Sequence, residues 1–173
     1  MRKLLIILFS VAIFSMAGKQ AYGQTLKFGH INSDELVKSM PEYDTVLAQL
    51  GRLQKELGNT LEIMQVEFNN KYESYLKENK NLSDLVKQAK EQELQEISQR
   101  IQNFQAQAQS ELQEKLATLS KPVFDKVDKA IKDVGKEGGF IYIFDVAKGD
   151  LLYFDETKSA NILPQVKTKL GLK

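Results

Sequence analysis

Two stretches of the chain repeat apolar residues with a helical period: LGRLQKELGNTLEIMQVEFNNKYESY (residues 50–75) and LQEISQRIQNFQAQAQSELQEKLATL (residues 94–119). Apolar side chains recur at alternating steps of three and four, a repeat of about 3.5 residues. The pattern predicts two coiled-coil helices rather than an ordinary globular core. The apolar positions are Leu50, Leu53, Leu57, Leu61, Met64, Phe68, Tyr72 and Tyr75, followed by Leu94, Ile97, Ile101, Phe104, Ala108, Leu112, Leu116 and Leu119.

A polar segment, Lys77–Asp84, separates the two repeats. Its two asparagines and a serine suited to capping a helix predict a turn. Residues 43–119 are therefore expected to form an antiparallel helical hairpin with its tip near residues 78–83. Arms of roughly 37 residues, at ~1.5 Å per residue, would each be about 55 Å long.

Gly51 and Gly58 are the only glycines of this hairpin, and they lie seven residues apart at the same heptad position. Each costs about 1 kcal/mol relative to alanine inside a helix. Two interpretations stay open. Both positions are exposed and tolerate glycine, or they soften the root of the arm or let another helix approach closely.

The first 23 residues have the features of a cleavable export signal. Arg2 and Lys3 form a positive start, residues 4–17 form a continuous apolar run, and small residues at Ala21 and Gly23 precede a cleavage site. A run of about 14 apolar residues is short for a membrane span. The mature protein is therefore expected to be exported without a membrane anchor, and the lack of cysteine excludes a lipoprotein-type attachment.

Charge and composition exclude several functions. The signal carries Arg2, Lys3 and Lys19 and no acid, so 21 basic and 23 acidic side chains leave the mature chain with a net charge of −2. Nucleic-acid binding needs a clustered basic face, so we expect no nucleic-acid partner. Without cysteine there are no disulfides, thiolate metal sites or cysteine nucleophiles. We expect no enzyme, no cofactor and no metal site.

Residues 24–42 and 120–173 are predicted to form a small α/β body at the root of the arm. Leu26–Ile31 alternates apolar and polar residues at its edges, which indicates a short strand. Asn32 followed by Glu35 has the pattern of a capping box and predicts a short helix.

The second half of the body contains three helix signals. Pro122 biases Lys121 away from helical geometry, so we expect a kink or a break there. Gly138-Gly139 predicts the end of this helix, and Pro164 predicts the start of a short terminal helix.

Phe140–Ala147 (FIYIFDVA) is the strongest strand candidate, and Lys148-Gly149-Asp150 predicts a hairpin turn into a partner strand, Leu151–Phe154. Apolar side chains lie on both faces of the first strand, so both faces require burial. A body of some 70 residues has little left to cover the second face, which predicts an oligomer interface. The residues expected in this oligomer body are Phe28, Ile31, Phe140, Ile141, Tyr142, Ile143, Phe144, Leu151 and Tyr153.

The order of these parts is shared with a known family. The residues that carry the likeness are Phe28-Gly29-His30-Ile31-Asn32, Met40-Pro41-Glu42-Tyr43, Asn81-Leu82-Ser83, Lys121-Pro122-Val123 and Gly139–Asp145. None of these is a sharp motif, and the likeness rests on their order and spacing along the whole mature chain. On this basis the chain resembles the Skp/OmpH family of periplasmic chaperones for outer-membrane proteins.

The resemblance implies an α+β, mainly α fold, with a small β body that trimerises and one long antiparallel coiled-coil hairpin arm per subunit. It implies a periplasmic homotrimer whose three arms form a cage. It also implies an ATP-independent holdase, without a cofactor, that binds unfolded outer-membrane proteins and prevents their aggregation.

Two departures from the family pattern bear on these expectations. Basic arm tips in the family are thought to favour contact with membranes, but acidic residues offset the lysines around this tip, so charge does not support membrane contact. The family's Asp-Ile-Thr cap of the last helix is Asn161-Ile162-Leu163 here, so the threonine cap is missing and the helix is expected to fray.

Phe68, Tyr72 and Tyr75, with Phe104 on the opposite arm, are the candidate client-binding residues. Two interpretations stay open: these side chains close the hairpin as part of its own seam, or part of the cluster faces the cage and contacts unfolded clients. A two-helix hairpin leaves much of its apolar surface uncovered, so some exposure is expected.

Other titratable residues give little support for catalysis. His30 has no nucleophile or carboxylate at triad spacing, so a structural role is expected. Asp145 and Asp155 flank the strand pair, but no acid–base partner with a pocket is visible. The alternative to a chaperone is a non-enzymatic coiled-coil adaptor or spacer of the cell envelope.

Overall fold

The computed structural model describes residues 26–149 and 151–172; the expected export signal, residues 1–23, lies outside them. The fold class is confirmed as mainly α, with a long helical hairpin and a small sheet. The elements are β1 (Phe28–Ile31), α1 (Ser33–Lys38), α2 (Pro41–Glu78), a 3-10 turn (Asn79–Asn81), α3 (Asp84–Gly138), β2 (Tyr142–Asp145), β3 (Ser159–Asn161) and α4 (Leu163–Lys169).

Helices α2 and α3 pack antiparallel along the predicted apolar seam. The seam residues are half-buried or buried along both helices, except Tyr72 and Leu116, which are exposed. Every third and fourth residue faces the partner helix, and the residues between them face solvent. At ~1.5 Å per residue, the 38 residues of α2 span about 57 Å.

Of the kink or break predicted at Pro122, the break is wrong, because α3 continues through Pro122 to Gly138. A proline inside a helix costs about 3 kcal/mol. The apolar stripe of α3 beyond Pro122 is buried against the body, and this burial offsets the cost of the proline. Helical packing therefore overrides the local preference at this position. The buried residues of the stripe are Val123, Val127, Ala130 and Val134.

The three strands form one parallel sheet in the order β2-β1-β3. Phe28 of β1 pairs with Tyr142 on one side and with Ser159 on the other. The short N-terminal strand is thus central. The whole helical hairpin forms the crossover from β1 to β2, which satisfies the need of parallel strands for a long connection.

The predicted β-hairpin of Phe140–Ala147 with Leu151–Phe154 is therefore wrong. Its first strand is shorter, Tyr142–Asp145, and pairs with β1 instead. The Leu151–Phe154 segment forms no strand: Leu152 is 99% exposed and Tyr153 is 82% exposed. Gly149 does turn the chain with a φ of 71°, while Asp150 of the expected turn lies outside the described residues.

The core of the body lies between the sheet, α1, the C-terminal half of α3 and α4. Its largest fully buried side chains come from β1, the α1 region and the α4 region. This arrangement joins β1 and α4 to the root of the hairpin. These side chains are Ile31, Leu36, Met40, Ile162 and Val166.

A side-chain cap at the start of α1 and a glycine at the end of α3 define these two helix ends as expected. The Asn32 carboxamide oxygen accepts a hydrogen bond from the Glu35 amide at 3.0 Å, which starts α1. Gly139, with a φ of 66°, ends α3. At α4 the N-cap residue, Ile162, makes no side-chain cap, and the Asn161 carboxamide one residue earlier accepts from the Leu163 amide at 2.9 Å.

Replacing Gly51 and Gly58 by alanine is predicted to stabilise the protein. A Cβ atom at either position meets nothing within 4 Å, so no helix in the described part of the chain approaches closely at these glycines. Each alanine should raise the free energy of unfolding by about 1 kcal/mol, measured by urea unfolding.

The matched control is Gly139→Ala, whose positive φ should make the same change destabilising by about 1–2 kcal/mol. No gain in stability for the arm variants would contradict this account. If the distribution of spin-label distances across the hairpin is narrower in the alanine variants than in the wild type, this would support the view that the glycines soften the root of the arm.

Candidate functional site

Two of the four predicted aromatic residues form an exposed stack on the arm. The rings of Phe68 and Tyr72 lie nearly parallel, 5° apart, with their centroids separated by 6.0 Å. Phe68 is half-buried in the seam, whereas Tyr72 is 45% exposed. The stack therefore extends from the hairpin seam to the surface and offers an aromatic face to solvent.

The other two aromatic residues lie apart from this stack. The Tyr75 hydroxyl donates to the Glu91 carboxylate across the hairpin, and this hydrogen bond raises the pKa of Tyr75. Phe104 is half-buried and lines a shallow groove with Met64 between the two helices. Both side chains thus help to hold the hairpin together.

One edge of the seam carries ion pairs between the two helices. Arg100 donates to Glu67 at 2.9 Å, and Lys71 pairs with Glu93. The hydrogen bond between the last two raises the pKa of Lys71 and lowers that of Glu93. All four residues immediately precede a seam position in the sequence. The residues that stand one position before a seam residue, on both helices, therefore meet on one face of the hairpin. We call this surface the charged face.

Each residue turns an α-helix by about 100°, so positions that immediately follow a seam residue lie on the opposite face. Between residues 51 and 69 of α2 and between residues 95 and 113 of α3 these positions are uncharged, except Glu62. We call this surface the uncharged face. Almost all of its side chains are exposed, and its members are Gly51, Gln54, Gly58, Gln65, Asn69, Gln95, Ser98, Gln102, Gln105, Gln109 and Gln113.

This two-faced arm was not predicted from the sequence. The glutamines of the second arm predict a neutral, solvated surface on that helix, but the sequence alone does not show that neutral positions of both helices share one face of the hairpin. The difference between the two faces can be found in the sequence when the charge of the residue before each seam position is compared with the charge of the residue after it. The ion pairs then show which side of each helix shares a face.

The body presents a second apolar surface on its sheet. Phe28 and Tyr142 stack with ring planes 2° apart and centroids at 6.3 Å, and Tyr142 stacks in turn on Phe144 at 6.0 Å. Tyr142 is 60% exposed. Ile141 and Tyr153 are also exposed, while Leu151 is half-buried.

The remaining predicted body residues pack within the chain itself. Ile31 is buried in the core, and Phe140 and Ile143 pack against it. The Phe140 ring fills the space above Gly29 and Gly138, where a Cβ atom would lie within 3.1 Å of it. These three apolar residues therefore pack inside the body and are not part of its exposed surface.

The titratable candidates have structural partners. His30 Nδ1 lies 3.0 Å from the Ser159 hydroxyl, and its ring packs 4.8 Å from the Phe154 ring. Asp155 accepts from the Thr157 hydroxyl and amide. Among the described residues, no cluster of three or more potential acidic, histidine or cysteine ligands is arranged to hold a metal ion.

Asp145 ties the end of β2 to the start of α1. Its carboxylate accepts from the Ser33 amide at 3.1 Å, from the Ser33 hydroxyl at 2.5 Å and from the Ala147 amide at 3.1 Å. Burial raises the pKa of Asp145, but these hydrogen bonds outweigh burial and leave the pKa below its ordinary value.

Comparison with known proteins places this architecture in a family. Residues 27–170 match the family described as outer membrane protein (OmpH-like). The chain belongs to the OmpH-like family. An uncharacterized protein of Aquifex aeolicus (strain VF5) is 30% identical over 134 residues, which cover 76% of this chain and 79% of that protein.

A solved structure shares the fold. It is the crystal structure of a candidate outer membrane chaperone (OmpH-like) from Caulobacter crescentus CB15, with a TM-score of 0.69, 14% identity and 88% of each chain covered. OmpH-like membership suggests a periplasmic chaperone role and the binding of outer-membrane proteins, and this chaperone family is typically non-enzymatic. Among the described residues, no helix combines the length and apolar character needed to span a bilayer.

Asp145→Asn is predicted to destabilise the body by about 1–2 kcal/mol at neutral pH, because the ionised carboxylate accepts three hydrogen bonds. A lowered pKa in the folded state makes this stabilisation present above the ordinary carboxyl value of 3.8 and lost as the pH falls through the folded value. Urea unfolding at about pH 7 and about pH 3 should therefore show a gap between wild type and variant that narrows in acid.

Asp128→Asn is the matched control, since among the described residues the side chain of Asp128 makes only an exposed pair with Lys132, at 3.5 Å. Equal losses for the two variants at neutral pH would show that Asp145 contributes no more than a surface carboxylate.

Proposed function

We propose that this protein is an exported, ATP-independent holdase that binds unfolded outer-membrane proteins in the periplasm and prevents their aggregation. The observation that carries the proposal is the exposed surface of the arm. A long hairpin offers aromatic and aliphatic side chains to solvent, including the Phe68–Tyr72 stack. Such surface on a soluble protein is typical of an interaction site.

Holding a client needs no bound nucleotide. Each apolar contact on a narrow arm is weak, but contacts on several arms around one client add through effective concentration. Release follows when the client folds and buries the segments that the chaperone binds, because the chaperone binds only the unfolded state.

The arms act together in our proposal because the bodies form a homotrimer. The stacked rings of Phe28, Tyr142 and Phe144 lie on the sheet surface of a single chain, partly or largely exposed. Within the described residues, β2 pairs with β1 on one edge alone. A partner subunit would cover both the rings and the open strand edge.

In this proposal residues 24–42 and 120–173 form the trimerisation body, and residues 43–119 form the arm. Helix α3 spans both regions without interruption. A continuous helix across the boundary gives the arm a fixed direction relative to the body. Three such arms around a shared body would enclose a space for the client.

Aggregation suppression tests the proposed activity. An unfolded outer-membrane barrel diluted from urea should stay soluble in the presence of the purified protein at about one trimer per client, without ATP. Light scattering at increasing protein concentration measures the effect. Equal precipitation with and without the protein would overturn the holdase and favour a coiled-coil adaptor or spacer.

Mass in solution tests the trimer separately. Tyr142→Lys is predicted to shift the mass measured by multi-angle light scattering from trimer to monomer, because a charge would be buried at the interface. The control is Leu85→Lys, which replaces another exposed apolar side chain close to the arm tip. A monomeric wild type would overturn the cage, and a Tyr142→Lys trimer would overturn this choice of interface.

A further inference from the structure

We propose that client chains bind specifically to the uncharged face of the hairpin, through contacts with uncharged, strand-forming segments of the unfolded outer-membrane protein. This inference rests on the proposed holdase function and assigns that function to one side of the arm. It depends on the geometry of the ion pairs and on the chemistry of the side chains opposite them.

The charged face is already engaged in contacts within the hairpin. Arg100 pairs with Glu67, and Lys71 pairs with Glu93. A client bound over these residues would remove water from four charges whose exposure to solvent lowers their free energy. Binding an apolar chain to the charged face therefore carries the larger desolvation cost.

The uncharged face has the opposite character. Its glutamine, asparagine and serine side chains each combine hydrogen-bond donors and acceptors, and covering them with a client desolvates no formal charge. The Phe68–Tyr72 stack lies in the seam, which borders both faces, and its Tyr72 ring is exposed. Near the tip of the arm, apolar surface at the seam therefore adjoins the neutral hydrogen-bonding groups of this face.

This combination matches the chemistry of an unfolded membrane β-strand. Such a strand exposes unpaired backbone N–H and C=O groups and carries apolar residues on alternate positions. Side-chain amides can pair with the backbone groups whatever the client sequence, because every residue presents the same backbone. Aromatic rings accommodate the apolar side chains. The face is therefore suited to many clients of one class.

Because Glu62 is the one charged residue among the positions of this face, the face also predicts how binding responds to salt. Screening weakens attraction between exposed charges and leaves apolar contacts and neutral hydrogen bonds in place. The affinity for an unfolded outer-membrane barrel should change by less than about twofold between about 50 and 500 mM NaCl. A steep loss with salt would show that charged groups hold the client, which would overturn the assignment.

Paired substitutions on the two faces provide the decisive test. Gln105→Glu with Gln109→Glu places two charges on the uncharged face, four residues apart on α3. The matched control, Asn103→Glu with Gln107→Glu, places the same charges at the same spacing on the charged face, and all four positions are exposed. Affinity for a urea-unfolded outer-membrane barrel is measured by fluorescence titration, and helix content by circular dichroism.

The first pair should weaken client binding by about tenfold, since binding would desolvate new charges, while the control changes it by less than about twofold. Equal effects of the two pairs would overturn the face assignment but leave the holdase intact. A wild type that binds no client would overturn both. A change of oligomer mass in the first pair without client would show that the face contacts another arm, and would also overturn the assignment.

Discussion

The narrow seam between α2 and α3 is the constraint on which the rest of the structure depends. Two helices can bury only one stripe each, and here that stripe is filled by residues at steps of three and four. Most of the arm surface is therefore left in contact with solvent. The seam divides this surface into two faces, and the ion pairs between Lys71 and Glu93 and between Arg100 and Glu67 occupy one of them.

The body holds the two ends of the hairpin together. Strand β1 pairs with β2 and β3 on its two edges, so it joins segments that lie far apart in the chain. The hydrogen bonds between Ser33 and Asp145, 112 residues apart, close the same junction. Packing of α3 against this body carries the helix through Pro122, and the arm and the body are connected by one helix.

The parts that were predictable from the sequence are those with a local signal. The seam repeats over many turns, Asn32 and Gly139 act within one turn of their helices, and these expectations agree with the structure. Strand pairing was not predictable, because the apolar run Leu151–Phe154 resembles a strand while its potential partner instead pairs with β1. Nor were the two faces of the arm, which become apparent only once the ion pairs show how the helices are placed side by side.

The central claim is that this arm holds unfolded outer-membrane proteins along one face, and site-specific photo-crosslinking tests it most directly. A photoreactive residue is placed in turn at Gln102 and Gln113 on the uncharged face, and at Asn103 and Gln107 on the charged face, in protein bound to an unfolded barrel. The account predicts abundant client crosslinks from Gln102 and Gln113 and few from Asn103 and Gln107. Crosslinks of equal yield from both faces, or mainly from the charged face, would contradict it.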